Sequence, residues 1–116
     1  MRQPKPLKLD FPDDAAAALR GAGLELVLKQ RKGAAVGEVK ANNRTYQYRL
    51  HYQEIVDRAA TIARIKAQAA KEPVLLVARY LTLEMAEKCR ELDLQFVDAA
   101  GNAFLNAPGL YVLVKG

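Results

Sequence analysis

The sequence predicts an α/β domain, a mixed central sheet with helices on its faces, and three observations predict it. Apolar and polar residues alternate over much of residues 24–52, a continuous apolar run "PVLLVARYL" begins at Pro73, and helical patterns stand on either side of that run. Alternation marks strands with one wet face. An unbroken apolar run marks a central strand buried on both faces, often beside a parallel neighbour.

Taken in order, residues 1–11 read as a loose tail, and "PDDAAAALRGAG" as a short helix. Pro12 and two acids suit its start, four alanines its middle, and Gly21 and Gly23 its end. "LELVLKQ" follows as a strand with Leu24, Leu26 and Leu28 on one face, and "RKG" turns the chain. "AAVGEVKANNRTYQYRLHYQ" predicts a hairpin: Asn42 and Asn43 tolerate the positive φ of a tight turn, and both arms alternate. One arm carries Val36, Glu38 and Lys40, the other Tyr46, Tyr48, Leu50 and Tyr52.

"EIVDRAATIARIKAQAAKE" predicts a helix with Ile55, Ala59, Ile62, Ala63 and Ala70 on its apolar arc, ended by Pro73. After the apolar strand, Thr82 caps "LEMAEKCRELD", with Glu84 in the first turn, Lys88 and Arg90 in the last, and Met85, Cys89 and Leu92 inward. "LQFVDAAGNAFLNAPGLYVLVKG" closes the chain as two or three strands, broken at residues 98–102 and 106–109. The expected order is α-β-β-β-α-β-α-β-β, with two strands counted at the end. A meander followed by strand-helix crossovers gives a mixed sheet.

The 116 residues fit one domain, residues 1–116, and the hydrophobic fraction of 51% suits a folded core. No apolar run approaches the roughly 20 residues that cross a bilayer, and the start has no apolar signal core, so a cytoplasmic protein without a membrane partner is expected. One cysteine excludes an internal disulfide. Eighteen basic against thirteen acidic residues give a net charge of +5, which favours an acidic partner such as DNA without requiring one.

Four places are candidates for chemistry. Glu38-Val39-Lys40 has the spacing of a metal-dependent nuclease, a carboxylate for Mg²⁺ and a lysine to steer water, with Asp98 as a possible second acid. The plainer reading makes Glu38 and Lys40 an exposed cross-strand ion pair. Lys40, Arg44, Tyr46, Tyr48 and Arg49 put cations and aromatics around the hairpin, a pattern suited to phosphate contact and base stacking, although strand tyrosines as often pack. Asp98, Gly101 and Asn102 in "DAAGNAF" either present a carboxylate and an amide to a ligand or form a tight turn that Asp98 caps.

Other chemistry is short of parts. His51 is the one histidine, no serine occurs, and neither glycine-rich phosphate-loop motif is present, so a serine triad, a histidine metal cluster and a phosphate-loop nucleotide site are all excluded. Cys89, at helical spacing from Met85, reads as core. No cofactor is expected; Mg²⁺ enters only with the nuclease reading.

From Pro73 onward the chain resembles the AbiEi family of antitoxins from type IV toxin–antitoxin systems. The likeness rests on an apolar strand ending near Tyr80, a helix carrying Ala86 and Glu87, and "VDAAGNAFL" leading to "PGLY" at Pro108 to Tyr111. It covers about the last 44 residues closely. The resemblance implies a restriction-endonuclease-like core, a bacterial antitoxin role and a toxin, DNA or both as partner; these 116 residues leave no room for the family's winged helix, and Arg79 stands where relatives often carry proline.

In restriction-like cores the metal-binding Asp lies on the second strand and Glu-x-Lys on the third, which leads into a helix. Here the third strand is "TYQYRLHYQ", and Glu38-Val39-Lys40 falls one strand early. A single carboxylate also holds Mg²⁺ weakly. The expectation is therefore a non-catalytic domain that binds nucleic acid or protein, with a metal-dependent nuclease and an oligomerisation module built on the "GLYVLVKG" edge as alternatives.

Overall fold

The computed structural model describes residues 11–115. Among these residues three helices and seven strands follow one another as α1 (Phe11–Gly21), β1 (Glu25–Arg31), β2 (Ala34–Ala41), β3 (Arg44–Val56), α2 (Ala59–Ala69), β4 (Val74–Leu81), α3 (Leu83–Glu91), β5 (Phe96–Asp98), β6 (Ala103–Ala107) and β7 (Leu110–Val114). The strands form one sheet in chain order. β1, β2 and β3 pair antiparallel, β3–β4 and β4–β5 parallel, and β5, β6 and β7 antiparallel again. The expected α/β class with a mixed sheet is what the chain adopts. It ends in three strands, so the count of two at the end of the expected order was one short.

Helices cover the sheet unequally. α1 lies on one face, packing its Phe11, Ala15, Ala16 and Leu19 against Leu26, Leu50, Leu75, Val77 and Val97. α2 and α3 lie on the other, where Ile62, Ile65, Met85 and Cys89 meet Leu76, Ala78, Phe96 and Phe104. Between the layers, Val74 to Ala78 of β4 are buried throughout. Residues that alternate between two covered faces must all be apolar, which is why that strand reads as an unbroken run.

Local chemistry sets the turns. Lys32 and Gly33 (φ 52° and 79°) and Asn42 and Asn43 (φ 54° and 63°) make the two-residue connections of the meander, the positive-φ turns whose twist matches that of the strands. Thr82 caps α3 as expected, its hydroxyl accepting from Met85 N at 3.2 Å.

Two boundaries differ from expectation. Phe11, assigned to the tail, begins α1 and is fully buried, its ring edge-on to Tyr52 at 6.2 Å between centroids; residues 1–10 lie outside the described residues. Glu54, Ile55 and Val56 continue β3 instead of opening α2, because parallel pairing with β4 runs on through Ile55↔Tyr80 and Val56↔Leu81. The helix that remains turns Ile62 and Ile65 inward, while Ala59, Ala63 and Ala70 are exposed. A register with a buried neighbour outweighed a weak helical period.

Candidate nucleic-acid interface

The two-residue turns fix which residues of the meander share a face. Pairing sets Lys29 opposite Val36 and Val36 opposite Arg49, Glu25 opposite Lys40 and Lys40 opposite Thr45, Arg31 opposite Ala34. Directly paired residues project to the same side, so Lys29, Arg31, Lys40 and Arg49 stand together on the face that α1 does not cover. All four are exposed. Glu25 and Glu38 are the acids among them, Val27 and Val36 its half-buried apolar centre.

Arg44, Tyr46 and Tyr48 belong to the opposite face. Tyr48 is 3% exposed in the α1 core, and its hydroxyl donates to Gln95 Oε1 at 2.7 Å. Burial, with Tyr46 adding to it, pushes the Tyr48 phenol up to about 12. Tyr46 donates to Pro108 O at 3.1 Å. A methyl group on Gly109 would sit 2.8 Å from Arg44 Nη1 and 3.1 Å from Tyr46 Oη, and φ of +82° there already favours glycine. The five hairpin residues singled out in the sequence thus divide: Lys40 and Arg49 face outward on the open side, while on the opposite face Tyr46 ties the hairpin to the β6–β7 turn, beside which Arg44 lies, and Tyr48 ties it to Gln95 ahead of β5. Tyr48 offers no exposed ring for a base to stack on.

Beside the open face a groove runs along the end of α2. One section, about 610 Å³, is lined by Arg49, His51, Gln68, Lys71 and Glu72; a narrower one of about 260 Å³ brings in Arg31, Val36 and Gln47. A third, about 610 Å³, extends past Pro73 to Lys66, Asp93, Gln95 and Asn106. Arg49 Nε lies 3.3 Å from Glu72 Oε1, with both side chains about half exposed, a pair of small energetic worth that a phosphate can displace. Lys66 donates to Asp93 O at 3.3 Å. Arg31, Lys40 and Lys71 make no ion pair among the described residues.

His51 lies in this groove with its pKa lowered, first by burial and also by Arg64, against hydrogen bonds with Gln68 and Gln53 that raise it. Its neutral form is favoured, so it takes up its charge only below its ordinary value of 6.5. The groove becomes more positive as it does so.

The nuclease residues do not converge. Glu38 Oε1 lies 3.1 Å from Lys29 Nζ on β1, so its cation is Lys29 and not Lys40, a correction to the expected pair. Asp98 ends β5, three strand spacings from β2, or about 14 Å at the usual separation. Its carboxylate is fully buried and accepts from Ala100 N (3.0 Å), Asn102 N (2.9 Å) and Asn102 Nδ2 (3.0 Å). Gly101 supplies φ of 100° in the same turn. Asp98, Gly101 and Asn102 form a closed Asx turn in which the carboxylate's donors are the chain's own.

The strand that leads into α2 carries one acid, Glu54, and Val56 stands two residues on. Glu54 Oε2 accepts from Arg79 Nε at 3.2 Å, and the Arg79 guanidinium lies 5.5 Å from the centre of the Phe11 ring. Glu54 and Arg79 therefore pin the start of α1, on the face opposite Glu38. Cys89 is buried, and burial pushes its thiol up to about 12; a thiol so held is a poor nucleophile.

Sequence reasoning missed Lys29, Arg31, Lys71 and His51 as members of one surface. The signal for the first two was present: two-residue turns at 32–33 and 42–43 fix the register, and counting outward from them gives the face of every residue. The approach of α2 to β3 has no such local signal. No family model, curated protein or solved structure matches this chain. Among the described residues no helix is long and apolar enough to cross a membrane.

Proposed function

We propose that this chain is a non-catalytic, restriction-endonuclease-like domain of the AbiEi antitoxin kind that binds nucleic acid through the open face of β1–β3 and the groove beside α2. The observation that carries the reading is the pairing register, which gathers Lys29, Arg31, Lys40 and Arg49 on one sheet face that no described helix covers, with Lys71 and His51 at its border. Cations on a rigid surface suit phosphate oxygens, which fix position without reading sequence. Most of these side chains are long and exposed, so contact with a polyanion costs little desolvation.

The order of a three-strand meander, a helix and then a parallel strand supports the restriction-like assignment. The placement of the acids supports the absence of catalysis: Glu38 is held by Lys29, Glu54 by Arg79 on the other face, and Asp98 by its own turn. No two of them reach a common point. The antitoxin role and a bacterial toxin as second partner rest on the likeness of residues 73–111 to that family.

Fluorescence anisotropy of labelled duplex DNA tests the binding. We expect affinity to fall steeply between low and moderate salt, and the triple substitution Arg31→Ala/Arg49→Ala/Lys71→Ala to lower the salt slope by about one for each phosphate contact removed. Absence of binding at low salt, or a triple variant that binds as the parent does, would sink the interface. The antitoxin role is tested by rescue of growth when this chain is co-expressed with the product of the gene beside it. Unrelieved arrest, or no arrest to relieve, counts against it.

A further inference from the structure

The two edges of the sheet are built differently. β1 borders it with Glu25, Lys29, Gln30 and Arg31 exposed, and charges of this kind keep an edge from recruiting another strand. β7 borders it with "LYVLV", which has neither charge nor proline and leaves Tyr111 64% and Leu113 38% exposed. Among the described residues no strand pairs with its outer side. Phe104 pairs with Leu113 and meets Tyr111 edge-on at 6.1 Å, so Tyr111 and Leu113 lie on the α2 and α3 side; Leu110, Val112 and Val114 pack with the α1 core.

We propose that β7 is a homodimer edge, two copies pairing antiparallel about a two-fold axis at Val112 so that their sheets become continuous. The strand is close to palindromic in shape. Pairing about Val112 sets Tyr111 against Leu113 of the second copy, Leu110 against Val114, and Val112 against itself. Apolar side chains then meet on both faces of the joint. Lys115 falls opposite Gly109 of the second copy, so no like charges face each other.

A second copy fits better than the other edge of a neighbour. Joining β7 to β1 would set Tyr111 and Leu113 among lysine, arginine and glutamate, and would propagate without closing; the two-fold pairing closes on itself. The strand is only five residues long. An interface below about 1,200 Å² belongs to weak, transient association, so the dimer forms at high protein concentration. This inference stands independently of the nucleic-acid reading.

Sedimentation equilibrium of the full chain tests it, from roughly 5 to roughly 500 µM, a span in which weak interfaces of this class populate both states. The apparent mass should rise toward twice the monomer. Tyr111→Lys/Leu113→Lys should stay monomeric, because lysines then face each other across the axis, and Tyr111→Lys/Leu113→Glu should restore the dimer by setting lysine against glutamate. Far-ultraviolet circular dichroism checks that each variant is folded, and Tyr111→Lys alone, at the more exposed position, gives a milder weakening. A wild-type monomer throughout, or a dimer undiminished in the lysine pair, overturns self-pairing and leaves the edge to a partner of other sequence. Failure of the lysine–glutamate variant to recover overturns the register about Val112.

Discussion

The meander β1–β3 and the parallel centre around β4 and β5 belong to one sheet but differ in what covers them. β4 has a helix layer on each side and carries apolar residues without interruption from Val74 to Ala78. β1 and β2 have α1 beneath them and, among the described residues, no helix above, and their upper face holds Lys29, Arg31 and Lys40. Coverage therefore decides where charge can accumulate. A polyanion can reach the open half, whereas the closed half is where the sheet gains its stability.

The contrast can be broken most severely from the closed side. Leu76→Ala removes a fully buried side chain between the sheet and the α2–α3 layer; we expect a loss of about 2–5 kcal/mol in urea unfolding. A loss below about 1 kcal/mol would mean that this half is not the packed centre. Asp98→Ala removes the acceptor of three hydrogen bonds in its turn, and the loss should cost roughly 1–3 kcal/mol in stability. If nucleic-acid affinity fell instead while stability held, Asp98 would be a ligand group and not a cap.

Tyr48→Phe sharpens the comparison within a single hairpin. It removes the hydroxyl that donates to Gln95 and should cost about 1 kcal/mol in stability with affinity for DNA unchanged. Lys40→Ala, two residues from the turn and exposed, should do the reverse: stability within about 0.5 kcal/mol of the parent and weaker binding. A tyrosine variant that bound poorly would restore the stacking role that its burial denies.

The smallest expected effect is on pH. His51 titrates below its ordinary value of 6.5 in the folded chain, chiefly through burial. Its neutral form is the one that folding favours, so its contribution is fully present above pH 6.5 and is lost as pH falls from there toward the lower folded value. DNA binding should change in the opposite direction, strengthening as the groove gains a charge. His51→Gln should flatten both dependences below pH 6.5; unchanged profiles in that variant would assign them to other groups.

Much of this was legible along the chain. The alternation of Leu24, Leu26 and Leu28 gave the buried face of β1, Thr82 gave the start of α3, and "PVLLV" gave the doubly covered strand. The candidate surface was half legible. Lys40 and Arg49 were placed with three residues that lie on the other side, because proximity in sequence was read without the parity that the turns impose. Glu54 to Val56 looked helical, since the signal for strand came from β4, some 25 residues later.

By itself the sequence determined the class of the fold, the pairing of the meander and which residue types could never assemble a serine triad or a histidine cluster. These follow from local rules: period-two alternation, turn residues that accept positive φ, and composition. Only the tertiary structure decided that α1 takes one face and that, among the described residues, no helix covers the other over β1 and β2, that Glu54 answers to Arg79, and that β7 ends the sheet uncharged. Each of these depends on contacts between residues far apart in the chain, set by which apolar surfaces find cover, and local propensity carries no record of them.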